Sequence, residues 1–171
     1  MMASIRKGAS MKHPRAAAIS AVACSLAFLC GCDSASPSPA ANGNDPYLAV
    51  RQECVDTINS LRASIGLPAL AYASDRNPCT DNQARLDSQT GAAHGAFGNC
   101  GEQAQNECPG YGSVESIVTG CLRSMWNEGP GEPYSQHGHY INMTNTAYSK
   151  VSVGFYTTSA GRVWAVFNFY P

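Results

Sequence analysis

Three histidines and three glutamates are the residues of this chain best suited to chemistry. Outside the N-terminal segment the imidazoles are His94, His137 and His139, and each lies next to a glycine. The carboxylates of the same stretches belong to Glu102, Glu107 and Glu128. The glycine-rich surroundings predict that loops, rather than helix faces, carry all the imidazoles. Loops of this kind can bring the polar side chains to one shared cleft.

A cleft that holds two imidazoles and two carboxylates has the donor set of a divalent-cation site. Nitrogen and carboxylate-oxygen ligands favour a hard-to-borderline ion such as zinc. Without a cation, neighbouring carboxylates would raise one another's pKa or draw protons onto the histidines. The alternative is that these polar residues only face solvent, and the local sequence leaves both readings open.

Helical patterns come first in the chain and strand patterns last. Apolar residues recur at helical spacing from 47 to 65, a weaker helix follows from Pro78 to about Gly91, and Ser113 caps a third helix. A short extended piece is expected at 70–72, and segments 97–112 and 129–138 are expected to be loops. Two strands, 151–156 and 163–169, should pair antiparallel. This order predicts an α+β layered domain.

Of eight cysteines, five belong to the domain: Cys54, Cys79, Cys100, Cys108 and Cys121. In an exported chain they favour disulfides over metal thiolates. Two bridges and one free thiol are expected. Pairing Cys100 with Cys108 would close one glycine-rich loop. Two of the other three would then join helices and the last would be a buried thiol, since nothing marks any cysteine as an activated nucleophile.

The first 31 residues have the form of a secretory signal. Four basic residues precede an uncharged run from Ala16 to Cys30 that is short for a membrane-spanning helix. The segment Leu29-Cys30-Gly31-Cys32 resembles a bacterial lipobox, so we predict a signal peptide at 1–31 and a lipid on Cys32. A plain signal cut nearby, or an uncleaved anchor, is the alternative. Residues 32–46 are small, polar and Pro-containing, which predicts a flexible tether between the membrane and a domain at 47–171.

Processing changes the charge of the chain. The whole sequence has 11 basic and 12 acidic residues, and the four basic residues that leave with the signal reduce the mature chain to seven against twelve. No basic patch remains that could neutralise phosphates, so nucleic-acid binding is not expected. An anionic surface is not drawn to acidic headgroups either, so the lipid itself must supply membrane attachment.

The order of the motifs resembles the CAP superfamily of cysteine-rich secretory proteins, venom antigens and pathogenesis-related proteins. The resemblance covers Tyr47 to Tyr170 and begins with segments 58–62 and 67–72. Gly101-Glu102-Gln103 is similar to the family's Gly-Glu-Asn, and Trp126-Asn127-Glu128 to its Trp-x-x-Glu with one residue fewer. The strongest likeness lies in Gly138-His139-Tyr140-Ile141-Asn142-Met143, which resembles Gly-His-Tyr-x-Gln-Met. Gln103, Asn142 and Thr144-Asn145 depart from the family's usual residues.

The resemblance implies an α-β-α sandwich with a small antiparallel sheet between helices. It also implies a cleft in which two histidines and two glutamates bind a divalent cation, here zinc. Carried over by position, the ligands are His94, Glu102, Glu128 and His139. Glu107 is the alternative to Glu102, and His137 is a rim residue, a fifth ligand or a replacement for His139.

The function that follows is a lipid-anchored binding or interaction module with no catalytic residue. Its ligands would be sterols or other lipids, peptides or envelope components, and fold alone does not choose among them. One alternative is a zinc-dependent hydrolase in which Glu102 or Glu128 acts as general base on metal-bound water. Another is a structural envelope protein with an empty cleft.

Overall fold

The structure is a computed structural model that describes residues 45–171. The predicted signal peptide, the predicted lipid attachment site Cys32 and most of the predicted tether lie outside the described residues. Within 45–171, none of the helices combines the length and the apolar character that crossing a membrane requires.

Five helices and four strands form the described part of the chain. The helices are α1 (Leu48–Ala63), α2 (Asn77–Thr90), α3 (Val114–Ser116), α4 (Leu122–Asn127) and α5 (Tyr134–Thr144). The strands are β1 (Ala71–Tyr72), β2 (Ala104–Tyr111), β3 (Lys150–Thr157) and β4 (Val163–Tyr170). A 3-10 turn, Ser74–Arg76, precedes α2, and a π-helical turn, Ile117–Cys121, joins α3 to α4. Ser113 caps α3 as predicted, because its hydroxyl accepts the Ser116 N–H.

The four strands form one sheet in the order β1-β3-β4-β2. The predicted hairpin of β3 and β4 is confirmed, and β2 also pairs antiparallel with β4. The two-residue β1 pairs parallel with β3, so the sheet is mixed rather than wholly antiparallel. The edge position of β2 leaves one side of that strand open to the segments that carry the histidines.

Strand β4 is buried along its whole length because helices cover both faces of the sheet. Val163, Ala165, Phe167 and Phe169 belong to the main core, with buried residues of α1, α4 and α5. Trp164 and Val166 pack instead with Ala84 of α2. Alternate residues of a strand point to opposite faces, so this division places α2 on one face and the other helices on the opposite one. The predicted α-β-α sandwich is confirmed.

Helix α2 lies unusually close to strand β3. A Cβ atom at Gly154 would overlap the backbone of Thr80 on α2, so only glycine fits there. The buried Thr80 hydroxyl is hydrogen-bonded to the Ser152 hydroxyl at 2.7 Å. These contacts fix α2, and therefore the turn that follows it, against the sheet.

Two segments predicted to be loops are regular structure. Residues 104–111, within the predicted loop 97–112, form β2, where ladder pairing with β4 outweighs a composition poor in strand formers. Pro109 and Gly110 fall where the register shifts, which is where a strand tolerates them. The second predicted loop, 129–138, contains the start of α5. His137 and His139 therefore lie on a helix, and only His94 lies in a turn.

The predicted disulfide between Cys100 and Cys108 is wrong. The structure pairs Cys79 with Cys100 and Cys108 with Cys121, and leaves Cys54 as a buried free thiol. Cys108 lies in an extended strand that leads away from Cys100, at roughly 3.3 Å per residue. A disulfide needs Cα atoms within about 7 Å, a condition that the two observed pairs meet at 5.8 and 6.1 Å. The bridges instead join the 91–103 segment to α2, and β2 to the π-helical turn.

Candidate functional site

His94 lies in the turn after α2 and is held by two hydrogen bonds. Its φ is +62°, which makes it the one non-glycine residue of 45–171 in the left-handed region. Its backbone N–H donates to Glu107 Oε2 at 2.6 Å. Its ring nitrogen Nδ1 lies 2.9 Å from Gln105 Oε1, and 44% of the side chain is exposed. The ring is therefore fixed in orientation while one edge faces solvent.

Glu102 does not reach His94 and instead holds the 91–103 segment together. Its carboxylate accepts the backbone N–H groups of Gly98 at 2.6 Å and Cys100 at 2.9 Å. It also accepts the side-chain amide of Gln83 at 2.5 Å. With 7% of the residue exposed, this carboxylate is engaged inside the fold rather than offered to a ligand.

The carboxylate nearest His94 is Glu107, the alternative to Glu102. Burial raises the pKa of Glu107 to about 8, against the hydrogen bond from His94, which lowers it. Asp87 of α2 lies beside it, and burial raises the Asp87 pKa as well. Glu107 Oε1 and Asp87 Oδ2 are both buried without a hydrogen-bond partner. A proton held between the two carboxyl groups satisfies both atoms and removes one charge from the interior.

His139 and Glu128 form a separate pair. Glu128 Oε1 accepts His139 Nδ1 at 2.5 Å, and Oε2 accepts the His139 backbone N–H at 3.0 Å. His137 stays outside this pair, because its Nδ1 donates to the backbone carbonyls of Glu128 at 2.7 Å and Gly129 at 2.9 Å. His139 and Glu128, the other two expected ligands, are therefore hydrogen-bonded to each other.

The four expected ligands do not converge. Gln105 and Glu107, which hold His94, alternate along β2 with Asn106, whose side chain donates to the His139 carbonyl at 3.0 Å. Alternate strand residues point to opposite faces, so the two histidines approach the edge strand from opposite sides. Within residues 45–171, no three His, Cys, Asp or Glu side chains are grouped so that they could hold a metal. The arrangement therefore does not fit a four-ligand zinc centre, and zinc binding stays a prediction of the sequence.

An open cleft of about 490 Å³ lies between the His94 turn and α5, along the start of β2. Its lining is aromatic, aliphatic, amide and imidazole in character, with no acidic or basic side chain besides the imidazole: His94, Phe97, Gln103, Ala104, Gln105, Tyr134, Ile141, Asn142, Asn145 and Tyr148. The volume is in the range of small-molecule sites. Of the expected ligands only His94 lines this cleft.

Of the amides of this cleft, the sequence analysis singled out Gln103, Asn142 and Asn145 as departures from the family's usual residues but missed Gln105. Gln105 accepts from His94, and Asn142 donates to Asn106 Oδ1 at 2.9 Å while its own Oδ1 accepts the Tyr134 hydroxyl at 3.2 Å. Treating 104–111 as a strand would have found Gln105, because residues two apart share a face and Gln105 and Glu107 both meet His94. Asn142 was marked by its departure from the family's usual glutamine, but its hydrogen bonds to Asn106 and Tyr134 could not be predicted from the local sequence.

The sequence profile of the cysteine-rich secretory protein family, CAP, matches residues 55–169. The chain belongs to this family. The match spans both disulfides, the cleft and every histidine of the described domain. No curated protein sequence matches the chain closely enough to be counted as a relative.

Solved structures share the fold at low sequence identity. An extracellular SCP-domain protein from Bacillus anthracis is 18% identical, with a TM-score of 0.50 over 70% of this chain and 40% of its own. An outer surface protein from Borrelia burgdorferi is 15% identical, with a TM-score of 0.50 over 72% and 93%. The structure of NaASP2 with Zn²⁺ is 16% identical, with a TM-score of 0.50 over 77% and 83%. The chain spans only about two fifths of the Bacillus protein, and these likenesses show the fold alone.

Proposed function

We propose that this CAP-domain protein is an exported ligand-binding module whose binding site is the cleft beside His94. The observation that carries the proposal is the cleft itself, with its volume of about 490 Å³ and its lining of aromatic rings, amides and one imidazole. Ligand sites combine apolar contact area with a few fixed polar groups in this way. A lining of this kind offers contacts to a saccharide, a peptide, or a sterol or other lipid.

Export and anchoring are part of the proposal. Two disulfides among the described residues suit an oxidising compartment. The relatives from Bacillus anthracis and Borrelia burgdorferi are an extracellular and an outer surface protein, respectively. We place the chain in the same setting, anchored through a lipid on Cys32 and spaced from the membrane by residues 32–46.

A hydrolase is the weaker candidate. It would need Glu102 or Glu128 as a general base with a free oxygen near a substrate. Glu102 is buried and accepts three hydrogen bonds, and Glu128 is paired with His139. Neither residue lines the cleft. A structural protein with an empty cleft remains the alternative if no ligand binds there.

The cleft can be tested by filling it. Gln103 is exposed at its edge and its side chain has no protein hydrogen bond among the described contacts, so Gln103→Trp should occupy the cleft without breaking the fold. Gln136→Trp is the matched control, since Gln136 is exposed on α5 and outside the lining. Calorimetry of the mature chain with neutral trisaccharides, tripeptides and sterol-containing vesicles, the last measured against sterol-free vesicles because a lipid on Cys32 inserts into both, should find a class whose binding Gln103→Trp abolishes and Gln136→Trp retains. Binding that survives Gln103→Trp would place the site elsewhere.

A further inference from the structure

A chain of three buried amides links Glu102 to the ring of His94. The amides belong to Gln83 of α2, Asn168 of β4 and Gln105 of β2, and none is more than 6% exposed. Because an amide donates from nitrogen and accepts at oxygen, the partners at one end of such a chain fix the direction of every bond along it.

The direction is fixed at Gln83. Its Nε2 lies 2.5 Å from Glu102 Oε1 and 2.9 Å from the carbonyl of Ala96, and both of these are acceptors. Gln83 must therefore present its NH₂ group to them. Its Oε1 then accepts from Asn168 Nδ2 at 2.6 Å.

The same direction continues to the histidine. Asn168 Oδ1 accepts from Gln105 Nε2 at 3.0 Å, which leaves Gln105 Oε1 facing His94 Nδ1 at 2.9 Å. An amide oxygen only accepts, so Nδ1 must carry the proton. Neutral His94 is then held with a bare lone pair on Nε2, in a ring that is 44% exposed and lines the cleft.

The backbone of His94 points to the same role. A histidine in the left-handed region is uncommon, and the turn is held by the Glu107 carboxylate on its N–H and by the Cys79–Cys100 bridge behind it. This geometry fixes an acceptor at one place in the cleft, so a ligand must offer a donor to it.

The rest of the lining defines the chemistry of the ligand. Asn142 and Gln103 add amide groups, Tyr134 and Tyr148 add rings, and no charged side chain lines the cleft. An acidic or basic ligand would find no counter-ion, and a lipid tail would cover the apolar part of the lining but leave His94 Nε2 and the Gln103 amide without hydrogen-bond partners. We propose that the cleft binds a neutral, polyhydroxylated ligand, a short saccharide, with a hydroxyl group donating to His94 Nε2. This rests on the proposed function of the cleft, and names its ligand class.

The first arm of the test is the tautomer. Long-range ¹H–¹⁵N spectra of the mature wild-type chain, at a pH about two units above the ordinary imidazole pKa, should show His94 protonated at Nδ1 only. Gln105→Met keeps the length but removes the acceptor, and should shift His94 towards the tautomer mixture of a free imidazole. Gln103→Met removes an amide outside the relay and should leave the tautomer unchanged. A wild-type His94 protonated at Nε2 would overturn the inference.

The second arm is the ligand. Calorimetry with cellotriose, maltotriose and chitotriose should find binding by the wild-type chain. His94→Asn keeps a residue that tolerates the left-handed region but shortens the acceptor, and should weaken that binding about tenfold, the effect of one hydrogen bond. If sterol-containing vesicles or tripeptides bind in the cleft and no saccharide does, the ligand class is wrong while the proposed function stands. If no probe of any class binds there, both are contradicted.

Discussion

Glu107 is the titratable residue that supports the His94 turn beside the cleft. It is buried beside Asp87 and accepts the N–H of His94, so its ionisation places a second negative charge in the interior under that turn. Protonation of the pair therefore favours the folded state. This role is separate from ligand binding, because Glu107 does not line the cleft.

The pH dependence follows from the direction of that shift. The pKa of Glu107 is raised from an ordinary value of 4.5 to about 8, so the folded chain binds more protons than the unfolded chain between these limits. The stabilisation is complete below the ordinary pKa of 4.5 and is lost as the pH rises through the raised pKa of about 8. The free energy of unfolding from urea titrations should fall across this window, and Glu107→Gln should flatten the fall. Glu53→Gln, at an exposed site on α1, is the control, and an unchanged slope in Glu107→Gln would contradict the assignment.

Zinc titration tests how the histidines are grouped. The structure separates His94 from the His139–Glu128 pair. Calorimetry should therefore find only weak zinc binding, and His94→Ala and His139→Ala should each reduce it independently of the other. Any binding should weaken as pH drops through the imidazole range, near ~6.5, because only neutral rings ligate. His137→Ala should have little effect. A tight zinc complex that either His94→Ala or His139→Ala abolishes would instead support the four-ligand site expected from the sequence.

The disulfides act at the scale of elements. Cys79–Cys100 ties the 91–103 segment to α2, whereas Cys108–Cys121 ties β2 to the π-helical turn. Replacing either pair with serines should lower the free energy of unfolding by about 3 kcal/mol. Only the first replacement should also speed hydrogen exchange at the amide of Gly98, which Glu102 holds. Equal local exchange in both variants would show that the bridge does not support the His94 turn.

The elements also show where sequence patterns suffice. The hairpin of β3 and β4 was predictable because its β-branched and aromatic residues alternate between two buried faces. Strand β2 was not, because its pairing with β4 is a long-range contact and its Cys-Pro-Gly run is typical of a loop. Because residues 104–111 were predicted to be a loop, Cys100 and Cys108 were expected to pair within it, and that pairing was wrong. Helix α5 was not predicted at all, since Pro133 and Gly138 are typical of turns.

The site was predictable only in part. His94 was found because few imidazoles are available, and it does line a cleft. Glu102 was assigned as a ligand, but a carboxylate after glycine has the same local sequence whether it binds a cation or ties backbone N–H groups. The amide relay joins residues of α2, β2 and β4, so only the folded chain brings it together.

At the scale of the whole molecule, the anchor decides where the domain acts. Cys32→Ser should release the protein from the membrane fraction or leave an uncleaved precursor, because the lipid has no other attachment point in the predicted lipobox. Cys30→Ser, which changes a residue removed with the signal, should stay membrane-bound. Fractionation and mass spectrometry of the N-terminus measure both. An unmodified mature N-terminus at another residue would refute the anchor.

The central claim is that the cleft beside His94 is the ligand site, and mapping by NMR tests it most directly. The mature chain is titrated with the trisaccharides, tripeptides and sterol-containing vesicles while its histidine and aromatic ring signals are followed. The account predicts that the probe that binds moves His94, Tyr134 and Tyr148, which line the cleft, and leaves His137 in place as an internal reference. Shifts centred on His137 and His139, with His94 unmoved, would contradict the account.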